Sequence, residues 1–347
     1  MMATPIKQSA WMDWVAALVG EASRQRYAVT FSPDLFWCLL DDLPLQLIPR
    51  TFSRSWKVDT RRPLFLNPHC SLLAAPQLPQ ELRGQEDLVA GFDLQGLIAW
   101  VREPASGAIW PFWLGPRLED AIRSIRTGGP APEDVEQGDL AVLAAAGILI
   151  PHAYNKVQAK KWSDKVARSS PMFRERGYAP VAEMIHPFHI AALRRYYRSL
   201  IRQGKIHLGD GQSARRYVAY NEPVARFFHR QLAAAMSAVA GEPVKPSYVY
   251  MASYLSGAVL KKHTDRAQCE FSVTLCVDFS PEPACETSWP IRLQTPRGTT
   301  SVYQAMGDGL CYRGTKVPHF RDALAPGRTS TSIFFHYVAE HFTGSLA

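Results

Sequence analysis

The sequence predicts an α+β protein of two parts: a mixed α/β N-terminal domain, then a C-terminal jelly roll of two packed antiparallel sheets with flanking helices. Three observations lead there. From Ser247 onward the apolar pattern switches from a helical to an alternating period, in short, closely spaced segments. Residues 1–150 carry 13 Lys or Arg against 17 Asp or Glu, whereas residues 151–347 carry 26 against 14, so the charge balance changes sign in mid-chain. At 347 residues the chain also exceeds what a single core usually fills.

Composition narrows the function classes. With 47% hydrophobic and 20% charged residues the chain can bury a core, which excludes a disordered or collagen-like polymer. No stretch approaches the roughly 20 apolar residues that span a bilayer. Met1–Ala10 lacks the basic flank and apolar run of a secretory signal, so a cytoplasmic address without membrane contact is expected. Cys38, Cys70, Cys269, Cys276, Cys285 and Cys311 form no Cys-x-x-Cys pair, which argues against a zinc knuckle or dithiol motif and for most of them as small buried hydrophobes. The formal net charge of +8 suits an anionic ligand.

In the N-terminal part, Trp11, Trp14, Val15 and Leu18 predict an amphipathic helix over Trp11–Glu21. Leu97–Val101 and Ala108–Leu114, joined by the polar Arg102–Gly107, predict a hairpin whose Trp100, Trp110 and Trp113 pack into the core. Leu118, Ile122 and Ile125 mark a short helix, and Asp134–Ala146 another that ends at Gly147. This order is similar to a winged-helix-like module. Lys156, Lys160, Lys161, Lys165, Arg168, Arg174 and Arg176 then make a basic stretch, expected as a solvated linker or helix face. The boundaries expected are therefore an accessory domain over 1–154, a basic linker over 155–177 and a second domain over 178–347.

In the second domain, His186–Arg202 and Pro223–Val239 read as helices packed on a sheet. Eight strands follow, Ser247–Leu255, Ala258–His263, Cys269–Phe279, Pro290–Gln294, Thr299–Gln304, Gly309–Arg313, Val317–Phe320 and Thr329–Val338, punctuated by Gly and Pro. Their number and shortness favour a jelly-roll, cupin-like arrangement.

The chemistry concentrates in His263-Thr264-Asp265, His319 and Arg328. Positions i and i+2 of an extended segment project to one side, so His263 and Asp265 can offer an imidazole nitrogen and a carboxylate oxygen to one ion. His319, in the seventh strand, supplies the second imidazole if the roll returns it beside the second strand. Two histidines and one carboxylate on one face leave positions open, as ferrous iron needs to bind a cosubstrate and dioxygen together. Arg328 opens the last strand, and its planar guanidinium suits a carboxylate in a way lysine does not, with Ser330 on the same side. His186, His189, His207, His229, His336 and His341 read as ordinary packed or surface histidines.

These residues, Tyr254-Leu-Ser-Gly257 with His263-Thr-Asp265, Gly307-Asp-Gly309, Val317-Pro-His319 and Gly327-Arg-Thr-Ser330, resemble the iron(II)- and 2-oxoglutarate-dependent dioxygenases, most nearly the prolyl-hydroxylase-like branch. The resemblance covers about residues 178–347. It implies a double-stranded β-helix, iron(II) held by His263, Asp265 and His319, and the far carboxylate of 2-oxoglutarate held by Arg328 and Ser330. Tyr254 and Thr274 resemble further residues of the cosubstrate pocket. The activity implied is hydroxylation of an unactivated carbon by O2, with release of succinate and CO2. Asp265 favours hydroxylation or a related oxidation, desaturation and ring closure included, over halogenation, since halogenating relatives carry a small residue there.

The substrate expected is an amino acid, peptide or natural product, acidic ones included. Nucleic acid is not expected, and the oligomeric state stays open. The competing reading is a non-catalytic jelly-roll protein that binds a metal or ligand and touches nucleic acid through its basic linker.

Overall fold

The computed structural model describes residues 30–346 apart from 55–57 and 124. The helix expected at Trp11–Glu21 lies outside the described residues. The N-terminal part contains β1 (Phe65–Leu66), β2 (Cys70–Ala74), β3 (Leu97–Arg102), β4 (Ile109–Leu114), α1 (Pro116–Arg123), α2 (Gln137–Ala145) and β5 (Leu149–Ile150). The expected hairpin is present as β3 and β4, antiparallel with Arg102 opposite Ile109, and β2 adds a third strand on the far side of β3. Every residue of β4 is buried, and its Pro111 is tolerated because β4 ends the β2-β3-β4 sheet. Trp100, Trp110 and Trp113 are all core residues. Ile125 falls beyond the end of α1, and α2 closes at Gly147, whose φ of 72° is the left-handed stop that glycine adopts without strain.

The basic stretch expected as a linker or helix face is helical: α3 spans Tyr154–Arg176 and is capped by Gly177. Part of its charge is matched locally, Lys160 Nζ lying 2.8 Å from Asp164 Oδ2 and Lys165 Nζ donating to the Glu183 carbonyl. No helix among the described residues is long and apolar enough to cross a membrane.

Thereafter come β6 (Tyr178–Val181), α4 (Pro187–Arg202), β7 (His207–Leu208), β8 (Arg216–Tyr220), α5 (Pro223–Gln231), α6 (Ala233–Ala240), β9 (Val244–Tyr254) and β10 (Leu260–His263). The chain ends in β11 (Phe271–Ser280), β12 (Ile291–Thr295), β13 (Gly298–Val302), β14 (Gly309–Tyr312), β15 (His319–Arg321) and β16 (Thr329–Ala339). All eight strands read from the sequence are there, as β9 to β16. They divide between two antiparallel sheets: a seven-stranded one ordered β6-β14-β11-β16-β9-β8-β7 and a four-stranded one ordered β10-β15-β12-β13. The additions are β6, β7 and β8, which widen the larger sheet at both edges. The helix expected over Pro223–Val239 is two helices meeting at Leu232.

Strand alternation builds two interiors. Ile333, Phe335 and Tyr337 of β16 join a core shared with α4, α5, α6 and the N-terminal hairpin. The other face carries Ser330, Ser332, Phe334 and His336, and Phe334 packs with Tyr254, Phe279, Trp289 and Leu324. Buried on both faces, β11 and β16 are central strands of the larger sheet.

Buried imidazoles tie α4 to the N-terminal part and α5 to β16. His186 caps α4, its Nδ1 accepting from the Phe188 N–H at 3.1 Å, so its Nε2 donates to the Ala145 carbonyl at 2.9 Å. His189 Nε2 donates to the Pro111 carbonyl at 2.8 Å, and His229 Nε2 to the His336 carbonyl at 2.7 Å. Burial pushes these imidazoles down, His186 and His229 to about 3 and His189 to about 4. The folded state keeps them neutral while the unfolded chain takes up protons below its ordinary histidine value. Stability is therefore present above about pH 6.5 and is lost as the pH falls toward 4, by about 1.4 kcal/mol per pH unit for each histidine. Urea midpoints at pH 7 and pH 5.5 check this; a His186→Asn/His189→Asn protein should show a shallower fall, and an unchanged slope would refute the assignment.

Candidate metal centre

The antiparallel register of β10 and β15 places His263 directly opposite His319. Side chains so paired stand about 5 Å apart at Cβ, and here the ring centroids are 4.4 Å apart. Asp265 lies two residues past the end of β10, its backbone N–H bonded to the Gly314 carbonyl at 2.9 Å. Asp265 Oδ1 is 3.6 Å from His263 Nε2 and 3.5 Å from His319 Nε2. One ligand atom from each residue lies within 4.8 Å of the other two, so the three side chains expected to share an ion are brought together.

Neighbouring groups fix which ligand atoms of the three side chains face one another. His263 Nδ1 is bonded to the Lys261 carbonyl at 2.7 Å and His319 Nδ1 to the Val317 carbonyl at 3.1 Å. A carbonyl can only accept, so each Nδ1 carries the proton and each Nε2 keeps its lone pair, as in metal-binding histidines generally. Burial lowers His319 from the ordinary imidazole value against the opposing pull of Asp265, which favours the neutral, ligating form. Asp265 Oδ2 accepts from Ser272 Oγ at 3.1 Å, leaving Oδ1 toward the histidines. Glycine is required opposite: a Cβ on Gly314 would stand 2.4 Å from Asp265 Oδ2 and 2.3 Å from the Cys269 carbonyl.

These residues open on a cavity of about 310 Å³ whose walls include Tyr248, Tyr250, Tyr254, Tyr312 and Phe334. At its rim Arg216 Nε donates to both carboxylate oxygens of Asp210, at 3.1 and 3.0 Å, and Tyr250 also donates to Asp210. Tyr254 lines the cavity; its hydroxyl accepts from Arg216 Nη1 at 3.0 Å, and its ring meets Trp289 edge-on. Thr274 is fully buried, with Oγ1 3.5 Å from the Tyr312 hydroxyl. Ser330 is buried opposite Tyr254 in the β9–β16 register. Arg328 precedes β16 and is only partly buried, its guanidinium carbon 5.8 Å from the Phe279 ring centroid. Like Thr274, Ser330 and Arg321, it is not among the residues lining the cavity.

Three residues near the centre escaped the sequence reading. His336, read as an ordinary histidine, lines the cavity, and its Nδ1 is 2.9 Å from Ser272 Oγ. Since that hydroxyl donates to Asp265, a chain runs from His336 through Ser272 to the carboxylate. Strand alternation from Ser330 through Phe334 could have placed His336 on this face. Tyr312 stacks edge-on against His319, with centroids 4.7 Å apart. Arg321 follows His319 by two residues on β15 and is 3% exposed. A second grouping, Asp265 with Cys269 and His336, shares the carboxylate. Burial pushes the Cys269 thiol up to about 12, and Tyr248 holds its sulfur at 3.0 Å, so it is a poor thiolate ligand.

No protein-family model matches the chain. No curated protein sequence matches it either. Solved structures do match, over about half of it. The 2-oxoglutarate-dependent epimerase SnoN from nogalamycin biosynthesis is 13% identical, covering 51% of this chain and 84% of its own at a TM-score of 0.43. A Pseudomonas putida prolyl-4-hydroxylase is 16% identical, covering 49% and 98% at 0.40. HygX from Streptomyces hygroscopicus, solved with nickel, 2-oxoglutarate and hygromycin B, is 11% identical, covering 51% and 88% at 0.41.

Proposed function

We propose that this chain is an iron(II)- and 2-oxoglutarate-dependent oxygenase that hydroxylates an unactivated carbon of a small-molecule or peptide substrate. The observation that carries the reading is the set of two Nε2 lone pairs and one carboxylate oxygen within 4.8 Å, each oriented by its own hydrogen bond. That donor set suits ferrous iron and leaves coordination positions for other ligands. Its charge fits as well: one carboxylate against a divalent cation leaves the centre positive, ready for an anionic chelator. Bound there, iron supplies the activation of dioxygen coupled to decarboxylation of the 2-oxo acid.

The rest is the work of the chain. His263, Asp265 and His319 hold the ion on one side of the cavity, Ser272 keeps Asp265 turned toward it, and Tyr254, Tyr312 and Phe334 exclude water around it. In this reading β9 to β16 form a double-stranded β-helix in a catalytic domain over 178–347, and residues before 155 form an accessory domain of the same cytoplasmic protein.

Anaerobic addition of ferrous iron and 2-oxoglutarate should produce a visible charge-transfer absorption, and admission of oxygen should release succinate. Neither signal is expected of a jelly-roll binding protein. Absence of both, together with salt-sensitive retention on nucleic acid, would establish that competing function instead.

A further inference from the structure

Among the described residues three arginines are almost wholly buried: Arg194, Arg216 and Arg321. The first two have carboxylate partners. Arg194 is paired with Asp278 and Glu282, and Arg216 with Asp210. Arg321 has no carboxylate within ion-pair distance among the described residues. Its Nη1 donates to the Trp289 carbonyl at 2.6 Å, its Nη2 is a long 3.5 Å from Gln304 Oε1, and its Nε is buried without any hydrogen-bond partner. A buried cation with no acid and an unsatisfied donor is costly unless something anionic completes it.

Its position says what that anion is. Alternation along β15 turns His319 and Arg321 to the same side, and two residues of strand span roughly 6.6 Å, comparable to the length of a five-carbon diacid. The ring of Trp289 lies 4.6 Å from the guanidinium carbon and orients its plane. Tyr254, which lines the metal cavity, packs on the same Trp289. Arg328, the guanidinium that the sequence pattern offers, is partly exposed beside Phe279, where water competes for it.

We propose that Arg321, rather than Arg328, receives the far carboxylate of the dicarboxylate cosubstrate, so that one strand supplies both a metal ligand and the anion anchor. This rests on the oxygenase reading above. The test is calorimetric titration of the ferrous protein, without oxygen, with 2-oxoglutarate and with 2-oxobutyrate, a 2-oxo acid that lacks the far carboxylate. Arg321→Met should weaken 2-oxoglutarate by about 10- to 100-fold, the loss of a charge-assisted contact, while leaving 2-oxobutyrate and iron affinity within about twofold of the unaltered protein. Arg328→Gln should leave all three affinities nearly unchanged. Arg321→Gln is read in parallel in case the methionine protein does not fold, and should lose the same discrimination between the two acids.

The ligand-free methionine variant should melt no lower than the unaltered protein, since it removes a cation without an acid; a purely structural arginine would give the reverse. Unchanged 2-oxoglutarate affinity in both Arg321 variants, or transfer of the loss to Arg328→Gln, overturns the assignment. Failure of the unaltered protein to bind iron and either acid would overturn it together with the functional reading.

Discussion

His319→Ala should bring succinate release to background and lower ferrous-iron affinity by more than about 100-fold, since loss of groups that merely orient metal ligands already costs 10- to 100-fold. The variant removes the one ligand that is almost fully buried, with its side chain 3% exposed. It also leaves His263 facing a gap beside Tyr312 rather than a partner imidazole. His336→Ala is the informative contrast. If the ion sat in the grouping of Asp265, Cys269 and His336, that substitution would abolish iron binding and His319→Ala would not. The geometry favours the opposite order, because the second grouping needs Cys269, whose thiol burial pushes up to about 12 and whose sulfur Tyr248 holds at 3.0 Å, whereas His263 and His319 bring two imidazole Nε2 atoms to the Asp265 carboxylate. Iron titration of the two variants, with circular dichroism to verify folding, decides the matter; equal losses would mean a different set of ligands.

The three side chains of the candidate centre were legible because the chemistry and the strand period pointed to the same positions. His-x-Asp followed by a distant histidine is a short pattern, and eight alternating segments supplied the framework that could bring its ends together. The convergence itself comes from pairing: the β10–β15 register sets His263 opposite His319, and the Gly314 carbonyl and the Ser272 hydroxyl hold Asp265 beyond the strand end. What the sequence hid was long-range. The segments β6, β7 and β8 are short and separated from β9 by helices or turns, and they become strands by pairing at the edges of a sheet built mostly from later residues. Arg321 was hidden for another reason. A charged residue in a three-residue strand looks solvent-facing until Trp289 and Gln304, distant in sequence, are seen to pack against it. In the N-terminal part the hairpin was readable from its two apolar runs, while its attachment to α4 depends on carbonyls of Ala145 and Pro111 that no side-chain pattern announces.

Asp278→Ala should cost about 3–5 kcal/mol of stability, the usual loss when one member of a buried ion pair is removed and the other is left in place. Asp278 stands at the irregularity of register in β11, where Arg194 Nε donates to Oδ1 at 2.8 Å and Arg198 Nε to Oδ2 at 2.6 Å. The two arginines do not contribute equally. Arg198 keeps 40% of its side chain exposed, so water screens it and its share is below about 1 kcal/mol. Arg194 is 2% exposed, also donates to the Leu47 carbonyl, and shares Glu282 with the backbone N–H of Arg50. One buried cation therefore joins α4, the larger sheet and the N-terminal segment. Arg194→Met placed in the Asp278→Ala background should recover part of the loss, because it removes a buried cation that has lost one of its two carboxylates and keeps the volume, while Glu282 keeps the Arg50 N–H. Urea unfolding of the single and double variants measures the coupling; simple additivity would mean that the pair contributes little. Ferrous-iron affinity of the folded Asp278→Ala protein should stay unchanged, since six residues of β11, roughly 20 Å of strand, separate Asp278 from the Ser272 that orients Asp265.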